Sequence, residues 1–204
     1  MAMDIFSYVI THDFGFAPNP FGGFLTLATC KPKIRQSAAK GDFVVGTGSA
    51  ATVGNQKLVY AAKVDEVISI ADYGRLAEYE IKRPAGGTPW WRKHGDNIYL
   101  RASGKWTQRR NPHHGPANMA RDLGGKKVLV CKRFYYFGDA AIQIPDEFFG
   151  IIKKGPGHKR VSDPVLVRRF VDWLMTLPRG VHGSPETRSE SRESCVGTPR
   201  IPHC

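Results

Sequence analysis

The chain contains no run of about 18 apolar residues, which argues against a membrane-spanning helix. Its start, Met3 to Ile10, is strand-like and shows no basic-then-apolar leader. Four cysteines, at 30, 131, 195 and 204, include no CxxC pair, which speaks against a zinc or disulfide framework. A reduced, cytoplasmic protein is the expectation. No dinucleotide fingerprint, nucleophile elbow, metal-ligand constellation or internal repeat is visible, so no cofactor and no metal are expected and no reaction is named by a motif. Acidic residues are in short supply: 18 Asp and Glu face 30 Lys and Arg, for a formal charge of +12. That balance favours polyanions such as nucleic acid or nucleotides.

What the chain has is enough apolar sequence, 41% of 204 residues, for one domain with a core. After Leu177 the composition turns to Ser, Arg, Glu, Pro and Gly, so residues 178–204 are expected to be a disordered tail behind a single domain, 1–177. The tail's four Arg and three Glu leave +11 on the domain. Period-two alternation predicts strands at Ile5–Ile10, Phe24–Thr29, Phe43–Gly46, Lys57–Ile70 (one long strand, straight or bent), Val128–Cys131 and Phe134–Phe137 (a strand pair or one bent strand) and Ala141–Ile144. Helical turns are expected at Pro32–Ala39 and Ala71–Tyr79. An amphipathic C-terminal helix is expected at Asp163–Leu177, capped by Ser162 or Asp163. Residues 83–127 read as irregular around a short strand, Asn97–Leu100. Together these predict an α+β fold, a small bent β-barrel with flanking helices.

The densest stretch is Ile10 to Ser49, where aromatic, basic and small residues share a loop-rich segment. His12-Asp13 follows a strand end, so His12 could move protons with Asp13 orienting it, or Asp13 could serve a turn. Phe14, Phe16, Phe21 and Phe24 offer stacking faces for a base, with Asn19 to read a polar edge. Lys31 and Arg35 sit near a helix start and could hold a phosphate, and Cys30 between strand and helix is a candidate nucleophile or a small core residue. Gly46-Thr47-Gly48-Ser49 lacks the spacing and lysine of a Walker motif, which leaves Thr47 and Ser49 as candidates at a strand end that meets a ligand.

Outside that stretch, Asp96 and Asn97 could read a base edge or form a turn. Tyr135 and Tyr136 alternate faces, so one of them could extend an aromatic pocket. Gly157-His158-Lys159-Arg160 is a candidate phosphate clamp, with His158 also a candidate acid or base. Arg109, Arg110, His113 and His114 read as a basic loop.

The words SYVITHDFGFAPNPFGGFLTLATCKPKIR, AKGDFVVGTGS, KLVYAAKV, GDNIY, VLVCKRFYYFG and GHKR, spread over residues 7–160, resemble the bacterial and phage family of nucleotide modification associated domain two. The order of strand, aromatic loop, short helix and KGDFVVGTG also resembles the PUA-like superfamily and its EVE branch. The resemblance implies a link to modified nucleotides and to modification or defence systems, with protein partners there, and supplies no reaction. Three functions remain open. The first is a module that binds a nucleotide or modified base, the second an enzyme that uses His12 and Asp13 with Cys30 or His158, and the third a structural partner. The first two require the segment after the first strand to lie beside GDNIY and GHKR around a basic, ring-lined hollow.

Overall fold

The computed structural model describes residues 3–185, a mixed α/β fold. Strands β1 (Ile5–Ile10), β2 (Leu25–Leu27), β3 (Phe43–Gly48), β4 (Lys57–Lys63) and β5 (Glu66–Ser69) come first, with helix α1 (Pro32–Ser37) between β2 and β3. Helix α2 (Ile70–Arg75), the hairpin β6 (Tyr99–Ala102) and β7 (Lys105–Gln108), and helix α3 (Met119–Gly124) follow. Strands β8 (Lys127–Cys131), β9 (Arg133–Tyr136), β10 (Ile142–Gln143) and β11 (His158–Val161), helix α4 (Pro164–Met175) and strand β12 (Gly180–Val181) complete the order.

The main sheet runs β11-β1-β3-β4-β9-β12 with β10 on β4, a second sheet runs β2-β8-β5, and β6-β7 stands alone. These ladders trace open paths, and no closed barrel is assigned among the described strands. The bend itself has a clear cause. The long strand expected over Lys57–Ile70 breaks at Val64-Asp65, and β8–β9 breaks opposite it at Lys132. Asp65 accepts from the backbone N–H of Lys132 (2.6 Å) and Arg133 (3.2 Å), which turns both strands from one sheet into the other.

Alternation places Ile5, Val45, Leu58, Ala61 and Tyr135 against Val167, Phe170 and Leu174 of α4. Phe6, Tyr8, Val44, Tyr60 and Tyr136 take the other face, against Leu25, Leu27, Ile34 and Leu129. Both faces of the main sheet are therefore buried, and both tyrosines of the 135–136 pair lie inside. Asp163 caps α4 by accepting from Val165 (2.9 Å) and Leu166 (3.3 Å) N–H groups. Beyond α4, β12 pairs with β9, and the His182 N–H donates to Tyr136 O at 2.8 Å. The fold thus continues past Leu177, because backbone pairing on a sheet edge supplies what the apolar-poor sequence does not. Residues 186–204, with Cys195, His203 and Cys204, lie outside the described residues. Among the described residues no helix is long and apolar enough to cross a membrane.

Strands β1 and β3 are parallel neighbours, so the chain between them must cross over. That crossover, residues 11–42, carries β2, α1 and the aromatic loop, and Lys82 ties the loop down. The Lys82 ammonium is buried and donates to Asn19 O (3.0 Å), Asn19 Oδ1 (3.0 Å), Phe21 O (2.5 Å) and Phe24 O (2.6 Å). Burial pulls its pKa down to about 7 against the nearby Asp96 carboxylate. The four oxygens favour the charged form. Asn19 is thereby a loop anchor, its amide also donating to His94 O at 3.0 Å. Lys82→Met removes the shared donor and is expected to cost on the order of 3 kcal/mol. Urea unfolding reads this, and an unchanged midpoint would show that the clamp carries no stability.

Candidate active site

Cys30 lies in the turn between β2 and α1, and the backbone there is unusual: Cys30 has φ 54° and Lys31 φ 36°. Side chains rarely adopt this left-handed region, and it persists only where the surroundings impose it. Here both backbone groups of Cys30 are held. Its N–H donates to Asp122 Oδ1 at 2.9 Å, and its carbonyl accepts from Arg35 Nε at 2.8 Å. Arg35 is fully buried and also donates to Asp122 O (2.7 Å) and Lys127 O (2.8 Å). A Cβ at Gly125 would come within 2.3 Å of the guanidinium carbon, so glycine there makes room for it. Arg35 is therefore an internal anchor and not a phosphate ligand.

The strained turn brings Cys30 Sγ to 3.4 Å from His114 Nε2, while His114 Nδ1 lies 2.5 Å from Asp122 Oδ2. Tyr99 OH donates to the same Asp122 oxygen at 2.8 Å. Burial acts to raise the Asp122 pKa, but His114, the Cys30 N–H and Tyr99 OH outweigh it and hold the carboxyl below its ordinary range. With Asp122 ionised, His114 Nδ1 donates to it, and in the neutral form of the ring Nε2 is the atom that faces the thiol and can accept its proton. Cysteine, histidine and carboxylate thus stand in the order of a nucleophile, its base and the group that orients the base.

Donor atoms of Cys30, His114 and Asp122 also lie within 4.8 Å of one another, close enough to be considered for a metal ion. The sulfur faces Nε2 and the carboxylate faces Nδ1, on opposite edges of one ring. An ion would have to break one of these contacts to gather all three ligands, and the set fits a proton relay better.

The triad opens into a narrow slot of about 60 Å³, walled by Tyr8, Ile10, Phe14, Phe16, Ala17 and His113, with Thr11, His12 and Lys31 also lining it. Phe14 stacks on His113 at 4.8 Å and on His12 at 6.0 Å, and Phe16 meets His114 edge-on at 4.9 Å. His113 Nε2 lies 2.6 Å from His94 Nδ1. Burial, with nearby positive charge, pushes His113 down to about 3 and His94 down to about 4, so this wall is neutral at pH 7. Lys31 Nζ sits over the Tyr8 ring at 4.7 Å. Thr11 and Lys31 also line a second, wider cavity of about 520 Å³, together with Ser49 and the loop Lys153–Gly157.

His12, Phe14, Phe16, Cys30 and Lys31 meet at the slot, and Ser49 lies at the neighbouring cavity. The His12–Asp13 pair does not form. Asp13 is buried and accepts from Tyr136 OH (2.7 Å) and Gly15 N–H (3.0 Å), which makes it a turn and sheet anchor. Asp96 accepts from Tyr73 OH and Thr26 OH (2.5 and 2.7 Å), and Asn97 donates to Tyr73 O and Tyr79 O (2.7 and 3.1 Å), so both serve the interior. Thr47 is buried with its hydroxyl 3.4 Å from Tyr8 O, and Tyr135 is sealed beneath α4. On edge strand β11 the expected clamp divides. His158 packs on Phe6, Lys159 bonds to Gly150 O, and Arg160 pairs with Asp4. Phe21 packs on Trp90 and Trp91, and Phe24 lies under Lys82, both outside the slot lining. His113 and His114, read from the sequence as part of a basic loop, line the slot instead, and Asp122 is the site residue that the sequence reading does not name. One signal was there: Asp122 is the lone acidic residue between Asp96 and Asp139.

The family model of nucleotide modification associated domain 2 matches residues 2–192. No curated protein and no solved structure matches the chain.

Because His94 and His113 are neutral when folded, the unfolded chain takes up protons first as pH falls. Their contribution is whole above about 6.5, the ordinary histidine pKa, and is lost as pH falls towards the folded values of about 4 and about 3. Tm should therefore drop with acidification through that window, less steeply in His113→Gln, as followed by calorimetry. Parallel profiles for the two proteins would remove the pair from the acid response.

Proposed function

The chain belongs to the nucleotide modification associated domain 2 family, and on that footing we propose that it is a cysteine-nucleophile enzyme acting on a nucleobase or nucleotide. The observation that carries this reading is the Cys30–His114–Asp122 relay at the end of a ring-walled slot. Phe14, Phe16 and His113 present flat faces suited to a heteroaromatic ring, at roughly 1–3 kcal/mol per stacked base. Strain at Cys30, held by two buried charged residues, is the kind of backbone outlier that clusters at reacting groups.

In the step we propose, the thiol proton passes to His114 Nε2 as the sulfur pair bonds to an sp² carbon of the base or its substituent. The displaced π pair goes to the attached nitrogen or oxygen. Collapse of that adduct expels a leaving group, which takes the proton from His114, and water then cleaves the S–C bond while His114 again moves the proton. Asp122 stays ionised throughout and orients the imidazole. The thiol must be reduced, which fits a cytoplasmic setting. The proposal keeps the PUA-like and EVE-like likeness as well. It is supported by the sheet bends at Asp65 and Lys132 and by the turn from α1 through Gly41-Asp42 into β3.

A binding module for a modified base would use the same ring-walled slot, and that lining is the observation in its favour. It needs no relay. Iodoacetamide labelling at neutral pH with peptide mapping separates the two. Cys30 is expected to react ahead of Cys131, with the rate falling on the order of 10²-fold in His114→Ala and its pH profile displaced in Asp122→Asn. Equal rates and profiles in all three proteins would overturn the enzyme reading and leave binding in its place.

A further inference from the structure

We propose that the wider cavity beside the Cys30 slot is a phosphate site, holding the phosphate of a nucleotide whose base points into the slot; this rests on the reading of the slot given above. Size is the first argument. The slot encloses about 60 Å³ and the wider cavity about 520 Å³. A nucleotide exceeds the slot, so most of any such ligand that reaches Cys30 must lie outside it. Thr11 and Lys31 line both spaces, so the wider cavity adjoins the slot.

Charge is the second argument. Among the described residues, Lys31, Lys153 and Lys154 line this cavity and no carboxylate does. Lys31 stands at the junction, its ammonium over Tyr8 on the slot side. His158, next to the loop in sequence, has its pKa lowered first by burial and then by the charges of Lys33 and Lys153, so Lys33 adds positive charge near the lining. Lysine ammonium groups are good point-charge partners for phosphate, and three around one concavity favour a dianion over a neutral sugar. Ser49 and Asn55 add polar groups to the lining. The chemistry recognised is a phosphate ester next to a base, whether it belongs to a free mononucleotide or to a single strand.

Calorimetry at low salt tests this on the full chain and on the Lys153→Ala/Lys154→Ala double variant. Probes are the common nucleosides, their 5′-monophosphates, a short single-stranded oligonucleotide and inorganic pyrophosphate. The expected result is that a monophosphate binds more tightly than its nucleoside, falls roughly tenfold or more in the double variant and weakens with salt, while nucleoside binding is the same in both proteins. An oligonucleotide that binds better than the monophosphate puts the phosphate in a strand, and the reverse assigns it to a free nucleotide; either supports the site. Equal affinity of monophosphate and nucleoside, no binding of any phosphorylated probe, or phosphorylated probes that bind both proteins alike overturns it. Lysine-dependent binding of pyrophosphate without nucleoside binding would sink the base slot and leave the phosphate site standing.

Discussion

A carboxylate in the interior must be surrounded by donors or it costs several kcal/mol, and the donors that surround Asp122 are the parts of the candidate site. It receives the Cys30 N–H, His114 Nδ1 and Tyr99 OH, while its own backbone carbonyl receives Arg35. The requirement to satisfy one buried charge therefore sets the cysteine turn, the imidazole tautomer and the position of α3 at once. Arg35 completes the arrangement from the other side by holding the Cys30 carbonyl. The strained turn at Cys30 is imposed by two charged groups that cannot relax without losing their own partners.

The larger architecture explains why such a site is rigid. The main sheet is buried on both faces, by α4 on one side and by β2, β8 and α1 on the other. Parallel pairing of β1 and β3 forces a crossover, and the crossover becomes the roof of the slot. Lys82 fastens that roof to the segment before the β6–β7 hairpin through four oxygens. His113, with His94 behind it, adds a neutral ring to the lining. A narrow, largely apolar slot with a cation at its rim follows from these restraints.

Much of the fold was legible in linear order. Alternation located β1, β3, β8 and β9, and Asp163-Pro164 located the start of α4. The split of Lys57–Ile70 into β4, β5 and α2 was not, because an alternating run continues unchanged when a strand leaves one sheet for another. The corner at Asp65 depends on backbone N–H groups 67 and 68 positions away. At the site, the local density of Phe14, Phe16, Cys30 and Lys31 pointed to the right segment. Arg35, Asp96 and Asn97 look like surface ligands in a list of polar residues, and each instead satisfies buried backbone or hydroxyl groups. His114 reads as one member of a basic loop until Cys30, 84 positions earlier, stands beside it.

Residue order settled the strand periods, the basic balance, the capped helix and the family, because these depend on neighbours along the chain. Which polar groups face each other was decided only on folding. Cys30, His114 and Asp122 are joined by the desolvation of one carboxylate, and a desolvation demand acts through space on whatever donors the packed chain brings near.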